Sequence, residues 1–249
     1  MYLTTQGLVL RVTSYNDSDA LLTVLTREQG KLTVKARGLR RKNSPLTASC
    51  QLLAYSEFTL FEYRGFYTIN EARTVELFQQ LHRDLQKLSL GTYFAQVAEV
   101  LSQEDQSNPE LLSLVLNALY SLAKLRIPEE QIKAAFELRS ICLAGYTPDL
   151  HGCSQCGAST PDRFDISAGQ LECSGCRNYA SDGIRMPLNP GALEAMRYIC
   201  SCDAKQLFLF QLGEDSLRLL SQVAEAYLTT QLERGFSALD FYKSLLIDI

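Results

Sequence analysis

The sequence predicts an α+β, multidomain chain: a small β-barrel at the N-terminus, then an α-helical domain that carries a four-cysteine metal module. Three observations predict it. Residues 5–75 hold five short runs of strand-like composition with no helical period between them, the pattern of a small antiparallel barrel. From about residue 81 the apolar residues recur at helical spacing. Cys153, Cys156, Cys173 and Cys176 form two CxxC pairs sixteen residues apart, which matches a closed four-sulfur site. The expected domains are 1–80 and 81–249, with the metal module at about 149–186.

In the barrel, Gly7–Val12 and Ala20–Thr26 are β-branched, apolar runs, and Glu28-Gln29-Gly30 signals a turn into a third run, Lys31–Arg37. Leu52–Tyr63 and Phe66–Val75 are two more, joined by a hairpin turn at Arg64-Gly65. Side chains alternate along a strand, so Leu32, Val34 and Ala36 face the core while Lys31, Thr33, Lys35 and Arg37 face outward. Phe61, Tyr63 and Tyr67 are either stacking surfaces for bases or ordinary core and hairpin packing.

Charge is uneven. The chain carries a net −4, yet residues 1–80 hold ten Lys or Arg against seven Asp or Glu. From Arg27 to Lys42 there are seven basic residues and one acid, Glu28. Lys31, Lys35, Arg37, Arg40, Arg41 and Lys42 are therefore the candidate polyanion contacts, suited to a phosphate backbone lying across the barrel. A solvated strand edge guarded by charge against aggregation is the competing explanation.

The helices follow in order. Leu81, Leu85 and Leu88 open one that Phe94, Val97, Ala98 and Leu101 continue. Asn108 and Pro109 suit N-cap and N1 of the next, with Leu112, Val115, Leu116, Leu119 and Leu122 on one face. Pro128 starts a third, apolar nearly all round and hence central, which Gly145 ends. Between the cysteine pairs, Arg163–Asp165 and Gly169–Leu171 suit a short hairpin. Two more helices are expected near 190–201 and 214–234.

Four thiolates saturate a tetrahedral ion and leave no position for substrate, so the expected cofactor is structural Zn2+. His151 is either a spare ligand or an exposed loop residue. Cys200 and Cys202 face different ways on a helix and read as packing, as do Cys50 and Cys142. No phosphate-cradling GxxxxGK[ST] loop, HExxH or GxSxG motif is present, so no enzymatic activity is expected. The opening Met1–Gln6 lacks a basic region followed by an apolar run, and no stretch approaches a membrane span. A cytoplasmic, reducing location is the expectation, with no membrane partner.

Several segments resemble the RecO family of bacterial DNA-repair proteins. Gly7-Leu8-Val9-Leu10, Asp19-Ala20-Leu21-Leu22 and Leu25-Thr26 look like its first two strands, and Gly30-Lys31 with Ala36–Ser44 is similar to its basic strand and loop. Leu143–Leu150 followed by Cys153–Gly157 resembles the helix end that leads into its zinc module, and Lys243-Ser244 matches a further short motif. The resemblance implies an N-terminal OB-fold, a helical domain with a zinc-finger insert, and a non-enzymatic recombination mediator of the RecFOR pathway, acting in the cytoplasm at the nucleoid. It implies binding to single- and double-stranded DNA and annealing of complementary strands. It implies binding to the C-terminal tail of single-strand DNA-binding protein, and cooperation with RecR in loading RecA. The tail site it implies uses basic residues beside an apolar groove, for which Lys124, Arg126, Lys133 and Arg139 are the candidates. Some family members lack the four cysteines, so the metal stands on this chain's own ligands. A protein-interaction scaffold and a zinc-ribbon nucleic-acid-binding factor are the alternative functions.

Overall fold

A computed structural model describes residues 1–176 and 183–247. Five strands come first: β1 (Tyr2–Ser14), β2 (Ala20–Thr26), β3 (Gly30–Ala36), β4 (Tyr55–Tyr63) and β5 (Phe66–Glu76). They close into a barrel in the order β1-β2-β3-β5-β4, with β1 paired to both β2 and β4. The one parallel pairing of named strands within the barrel is β3 with β5, where Val34 meets Tyr67 and Lys35 meets Thr68. A closed five-stranded barrel of this order is the expected OB-fold.

Why these residues close a barrel is visible in their alternation. Leu22, Val24, Leu32, Val34, Phe58, Leu60 and Ile69 share one buried core, and the residues between them on β3 and β4 face outward. Burying side chains of this size contributes about 1.5–3 kcal/mol each by transfer alone. At the hairpin tip both Arg64 and Gly65 have positive φ, the backbone of a two-residue turn that follows the strands' own twist.

Two strand starts differ from expectation by three residues or more. β1 begins at Tyr2 rather than near Gly7, because Tyr2 to Leu8 pair continuously with β4. β4 begins at Tyr55, not Leu52. Leu53 is fully buried in a left-handed conformation (φ 64°), and its N–H donates to the Val9 carbonyl at 2.9 Å. Such a kink cannot belong to a strand, and it lets the turns of 37–54 seat Cys50 and Ala54 in the barrel core.

Helices α1 (Leu85–Leu101) and α2 (Pro109–Lys124) follow. Leu81–Arg83 is a separate 3-10 turn, because Asp84 caps α1 by accepting from the N–H groups of Gln86 and Lys87. Asn108 caps α2 by accepting from Leu111, with Pro109 at its first position, as expected. The first compact unit is Met1–Leu125 together with the C-terminal segment from Phe236. Gly30 matters here. It has φ 66°, and a Cβ would lie 2.2 Å from the Gln106 carbonyl oxygen, so the turn into β3 lies against the loop between α1 and α2 only without a side chain.

The second unit is Arg126–Gly235. It holds α3 (Glu129–Leu143), β6 (Asp149–Cys153), β7 (Arg163–Asp165), β8 (Gln170–Glu172), β9 (Arg185–Pro187), α4 (Pro190–Ser201) and α5 (Glu214–Gln231). α3 packs on α4 and α5 and is buried along nearly its whole surface, as expected. It is not apolar all round, however: Gln131, Lys133, Glu137 and Ser140 are buried with the rest. The expected hairpin is present as β7 and β8, within a four-stranded sheet ordered β6-β8-β7-β9.

α5 stops at Gln231, short of 234, because Glu233 takes a positive φ of 48°. A sixth helix, α6 (Ser237–Ile247), then packs on α1 in the first unit, burying Ala238, Leu239 and Tyr242. The change from strand to helix falls near residue 80, as expected. By packing, α1, α2 and α6 belong to the same compact unit as the barrel. No described helix is long and apolar enough to cross a membrane.

Candidate nucleic-acid interface and metal centre

β3 places its basic residues as the alternation requires: Leu32, Val34 and Ala36 are buried, Lys31 and Lys35 are half-buried and Arg37 is exposed. The six candidates then divide into two groups. Lys31 donates from Nζ to the Glu99 carbonyl of α1 at 2.9 Å, and Lys35 pairs with Asp19 at 3.1 Å while lying 4.7 Å over the Tyr15 ring. Arg40 donates to the Asn16 carbonyl at 2.6 Å. Arg37, Arg41 and Lys42 are exposed and make no ion pair among the described residues. These three have the freedom to meet an incoming phosphate.

Asp19 organises this region and was not singled out from the sequence. Its carboxylate accepts from the Gly38 N–H at 2.9 Å, from Lys35, and from Asn16 and Ser18. The Gly38 N–H first, then Lys35, hold its pKa well below the usual carboxylate range. One carboxylate therefore ties the β1–β2 loop to the start of the basic loop, and Gly38, at φ 68°, turns the chain there.

The partner-tail candidates fare unevenly. Lys124, at the end of α2, and Arg126 are exposed, and Lys124 lines a cleft of about 280 Å3 with Glu76 and Gln79. Lys133 is a correction: it is only 3% exposed and lies 3.0 Å from Glu137 and 2.8 Å from Glu225. Burial disfavours its ammonium, but the two carboxylates outweigh that and raise its pKa. A charge on a helix that is buried all round faces neighbouring helices, so Lys133 cannot meet a partner. Arg139 is likewise turned inward, donating to the Cys202 carbonyl at 2.6 Å and to Cys202 Sγ at 3.3 Å.

Replacing Lys133 with Met leaves Glu137 and Glu225 without its ammonium inside the helical unit. The expected cost is about 3–5 kcal/mol. That lowers the melting temperature by about 10 °C, measured by circular dichroism, with oligonucleotide binding unchanged at low temperature.

The four cysteines converge. Their sulfurs all lie within 4.8 Å of one another, and Cys156 Sγ is 3.9 Å from Cys173 Sγ. Four sulfurs about 2.3 Å from one tetrahedral ion stand about 3.8 Å apart, so the donor set fits a metal. The first pair sits in the turn after β6, where the Gly157 N–H donates to the Cys153 carbonyl at 2.9 Å and Gly157 adopts φ 72°. The second follows β8, where the Cys173 N–H donates to Cys153 Sγ at 3.3 Å and the Cys176 N–H to the Cys173 carbonyl at 3.0 Å.

Burial would raise the Cys153 thiol, but the N–H groups of Cys156, Gln155 and Cys173 bring it down to about 6. Burial and the neighbouring sulfurs push Cys173 up to about 12. Four thiolates held this close would need a cation among them, and the four sulfurs are placed so that they could hold one. Among the described residues no other group of three or more such side chains is placed to hold an ion. His151 is fully exposed, with Nδ1 2.9 Å from Asp149, and is not among the four.

The module is fastened to α4 and α5. Arg197 donates to the Leu150 and Ser159 carbonyls, Gln231 donates to the Ile166 carbonyl, and the rings of Phe164 and Tyr227 meet edge to face at 5.2 Å. Arg185 is only 7% exposed and pairs with Glu172 at 2.6 Å, so it is spoken for within the module. Arg177 and Asp182 lie outside the described residues. Cys200 and Cys202 diverge as their spacing suggested: Cys202 meets Arg139, while Cys200 lies 3.6 Å from Cys142. The hydrogen bond shared with Cys200 lowers Cys142 to about 7, which a lone core thiol would not show.

Fold and site together define an OB-barrel protein with a basic outer strand, helices and a four-cysteine centre of closed geometry. Residues 1–78 match the family model described as Recombination protein O N terminal, and residues 82–240 match Recombination protein O C terminal. The chain is 34% identical over 247 residues to the DNA repair protein RecO of Acetivibrio thermocellus, covering 98% of this chain and 97% of that one. It is 30% identical over 248 residues to the DNA repair protein RecO of Alkaliphilus metalliredigens, covering 98% and 100%. The protein of the same name from Symbiobacterium thermophilum is 29% identical over 244 residues, 96% of each chain. The chain belongs to the RecO family of DNA repair proteins.

Proposed function

We propose that this protein is a non-enzymatic recombination mediator. It binds single- and double-stranded DNA, anneals complementary strands, and with RecR helps load RecA onto DNA coated by single-strand DNA-binding protein. The observation that carries the reading is the exposed set Arg37, Arg41 and Lys42, without ion pairs among the described residues, at the end of an outward-facing basic strand. Lys31, Lys35 and Arg40 add positive potential nearby while their side chains also brace the fold.

On this reading the basic face lowers the repulsion between two polyanionic strands, and base pairing supplies the free energy of annealing. The protein then works by positioning and neutralising. Zn2+ is the ion that best suits a closed tetrahedral set of four thiolates, where it cross-links the two turns. Lys124 and Arg126 remain as the candidate contacts for the C-terminal tail of single-strand DNA-binding protein. The site of action is the cytoplasm, at the nucleoid.

The test is annealing of two complementary oligonucleotides, each coated with the cognate single-strand DNA-binding protein, in the absence of ATP. Acceleration by this protein is expected. Intact DNA binding without acceleration would turn the assignment toward a protein-interaction scaffold.

A further inference from the structure

The outer face of the barrel carries more than charge. Pairing across strands places Lys35, Thr68, Phe61 and Tyr2 in one row, from β3 through β5 and β4 to β1. Directly paired residues point to the same face of a sheet, so the basic strand and an aromatic surface are continuous. Tyr2 is 62% exposed and Phe61 41%, and their ring centroids are 5.4 Å apart with the planes tilted by 58°. Further along, Tyr63 and Phe66 face each other at the hairpin tip, with the Arg64 guanidinium 5.2 Å over the Tyr63 ring.

A cleft of about 380 Å3 opens in this row, lined by Tyr2, Arg37, Phe61, Thr68, Ile69 and Asn70. Its volume falls in the range of small-ligand sites, about 300–1,000 Å3. Asn70 reaches it through a β-bulge: Leu60 pairs with Ile69 and Thr59 with Glu71, so Asn70 is the extra residue on β5. Bulges re-aim side chains, and this one adds an amide with both donor and acceptor to a pocket walled by rings. Ile69, 5% exposed, belongs to the barrel core as well as the cleft.

We infer that this cleft holds an unpaired nucleobase, stacked on Phe61 and Tyr2, with Asn70 on its edge and Arg37 on the adjoining phosphate. The site rests on the nucleic-acid reading and goes further, because duplex DNA cannot fill it. A base in a duplex is stacked and paired, so only a single strand can present one here. The phosphate contacts of Arg37, Arg41 and Lys42 serve either form, whereas the ring cleft favours the single strand. A wholly apolar partner would leave Arg37 and Asn70 unanswered. A base with its phosphate answers both and offers a π face to the rings.

The experiment measures anisotropy at fixed salt with three labelled probes: a twelve-nucleotide thymidine strand, an abasic sugar-phosphate strand of the same length, and a twelve-pair duplex. The wild-type protein is expected to bind the thymidine strand more tightly than the abasic strand. Phe61→Leu keeps an apolar side chain on the strand and removes the ring. It is expected to lose about tenfold in affinity for thymidine, with little change for the other two probes and no change in melting temperature. Tyr2→Ala is expected to do the same. Equal wild-type binding of thymidine and abasic strands would overturn the base site while leaving phosphate binding intact. An equal loss on all three probes in Phe61→Leu would overturn it too. Failure of the wild type to bind any probe would overturn the nucleic-acid reading itself.

Discussion

On the proposed zinc reading, treatment with a chelator, or replacing Cys173 with Ser, is expected to unfold the four-stranded module and leave the barrel intact. The reason lies in how small an apolar core the module has. β7, β8 and β9 are three residues each, and among the described residues the buried apolar side chains inside the module are Leu150, Cys153, Phe164, Ile166 and Leu171. So small a core cannot offset the entropy of ordering the segment. Structural zinc binding to four-ligand sites is worth about 10–16 kcal/mol, so an ion held here would contribute more to the module's stability than its apolar core does. The two turns also touch directly, because the Cys173 N–H donates to Cys153 Sγ, so a metal held by all four sulfurs would restrain both at once. Hydrogen-exchange mass spectrometry gives the readout. The amides of Leu171, Cys173 and Cys176 are expected to lose protection on chelation, while those of β1 to β5 keep theirs. Protection retained at Cys173 without metal would contradict a structural role.

The second large effect concerns charge. Replacing Arg37, Arg41 and Lys42 together with Ala is expected to weaken binding to single-stranded DNA by about 100-fold at 0.1 M salt. Each phosphate contact on a single strand contributes about 0.7 to the slope of log affinity against log salt, or about fivefold at that concentration. Because the three side chains are exposed and hold no ion pair among the described residues, their removal leaves the fold undisturbed. Replacing Lys31 and Lys35 instead is expected to cost stability as well as binding, since their ammonium groups hold the Glu99 carbonyl and Asp19. A fluorescence titration and a thermal melt on both variants separate the two effects. A triple variant that binds like the wild type would remove this loop from the interface.

The parts of this architecture that depend on local pattern are readable from the residues. Alternation along Lys31–Arg37 tells which side chains face out, and the two CxxC turns declare their ligands by spacing alone. Asn108 with Pro109 marks a helix start because capping is a local event. What escapes is decided by distant packing. Lys133 carries a charge that reads as a surface contact even on a helix expected to be central, and its burial with Glu137 and Glu225 depends on the packing of α5. The kink at Leu53 exists because its N–H bonds back to Val9, where β1 shifts register, a partner far back in the chain. α6 is short, and its buried stripe of Ala238, Leu239 and Tyr242 is meaningful only against α1. The base cleft follows the same rule. Tyr2, Phe61, Arg37 and Asn70 come from four separate segments, and only strand register and a bulge bring them into one wall.

The most direct test is the salt dependence of single-strand binding by the wild-type protein. Affinity for a thymidine oligonucleotide would be followed by anisotropy from about 50 to about 300 mM NaCl, a range in which exposed charge contacts are sensitive. With Arg37, Arg41 and Lys42 each meeting a phosphate, log affinity is expected to fall against log salt with a slope of at least about −2, and the triple Ala variant to flatten it by that amount. A slope near zero, or one that the triple variant leaves unchanged, would contradict the assignment of this face to nucleic acid.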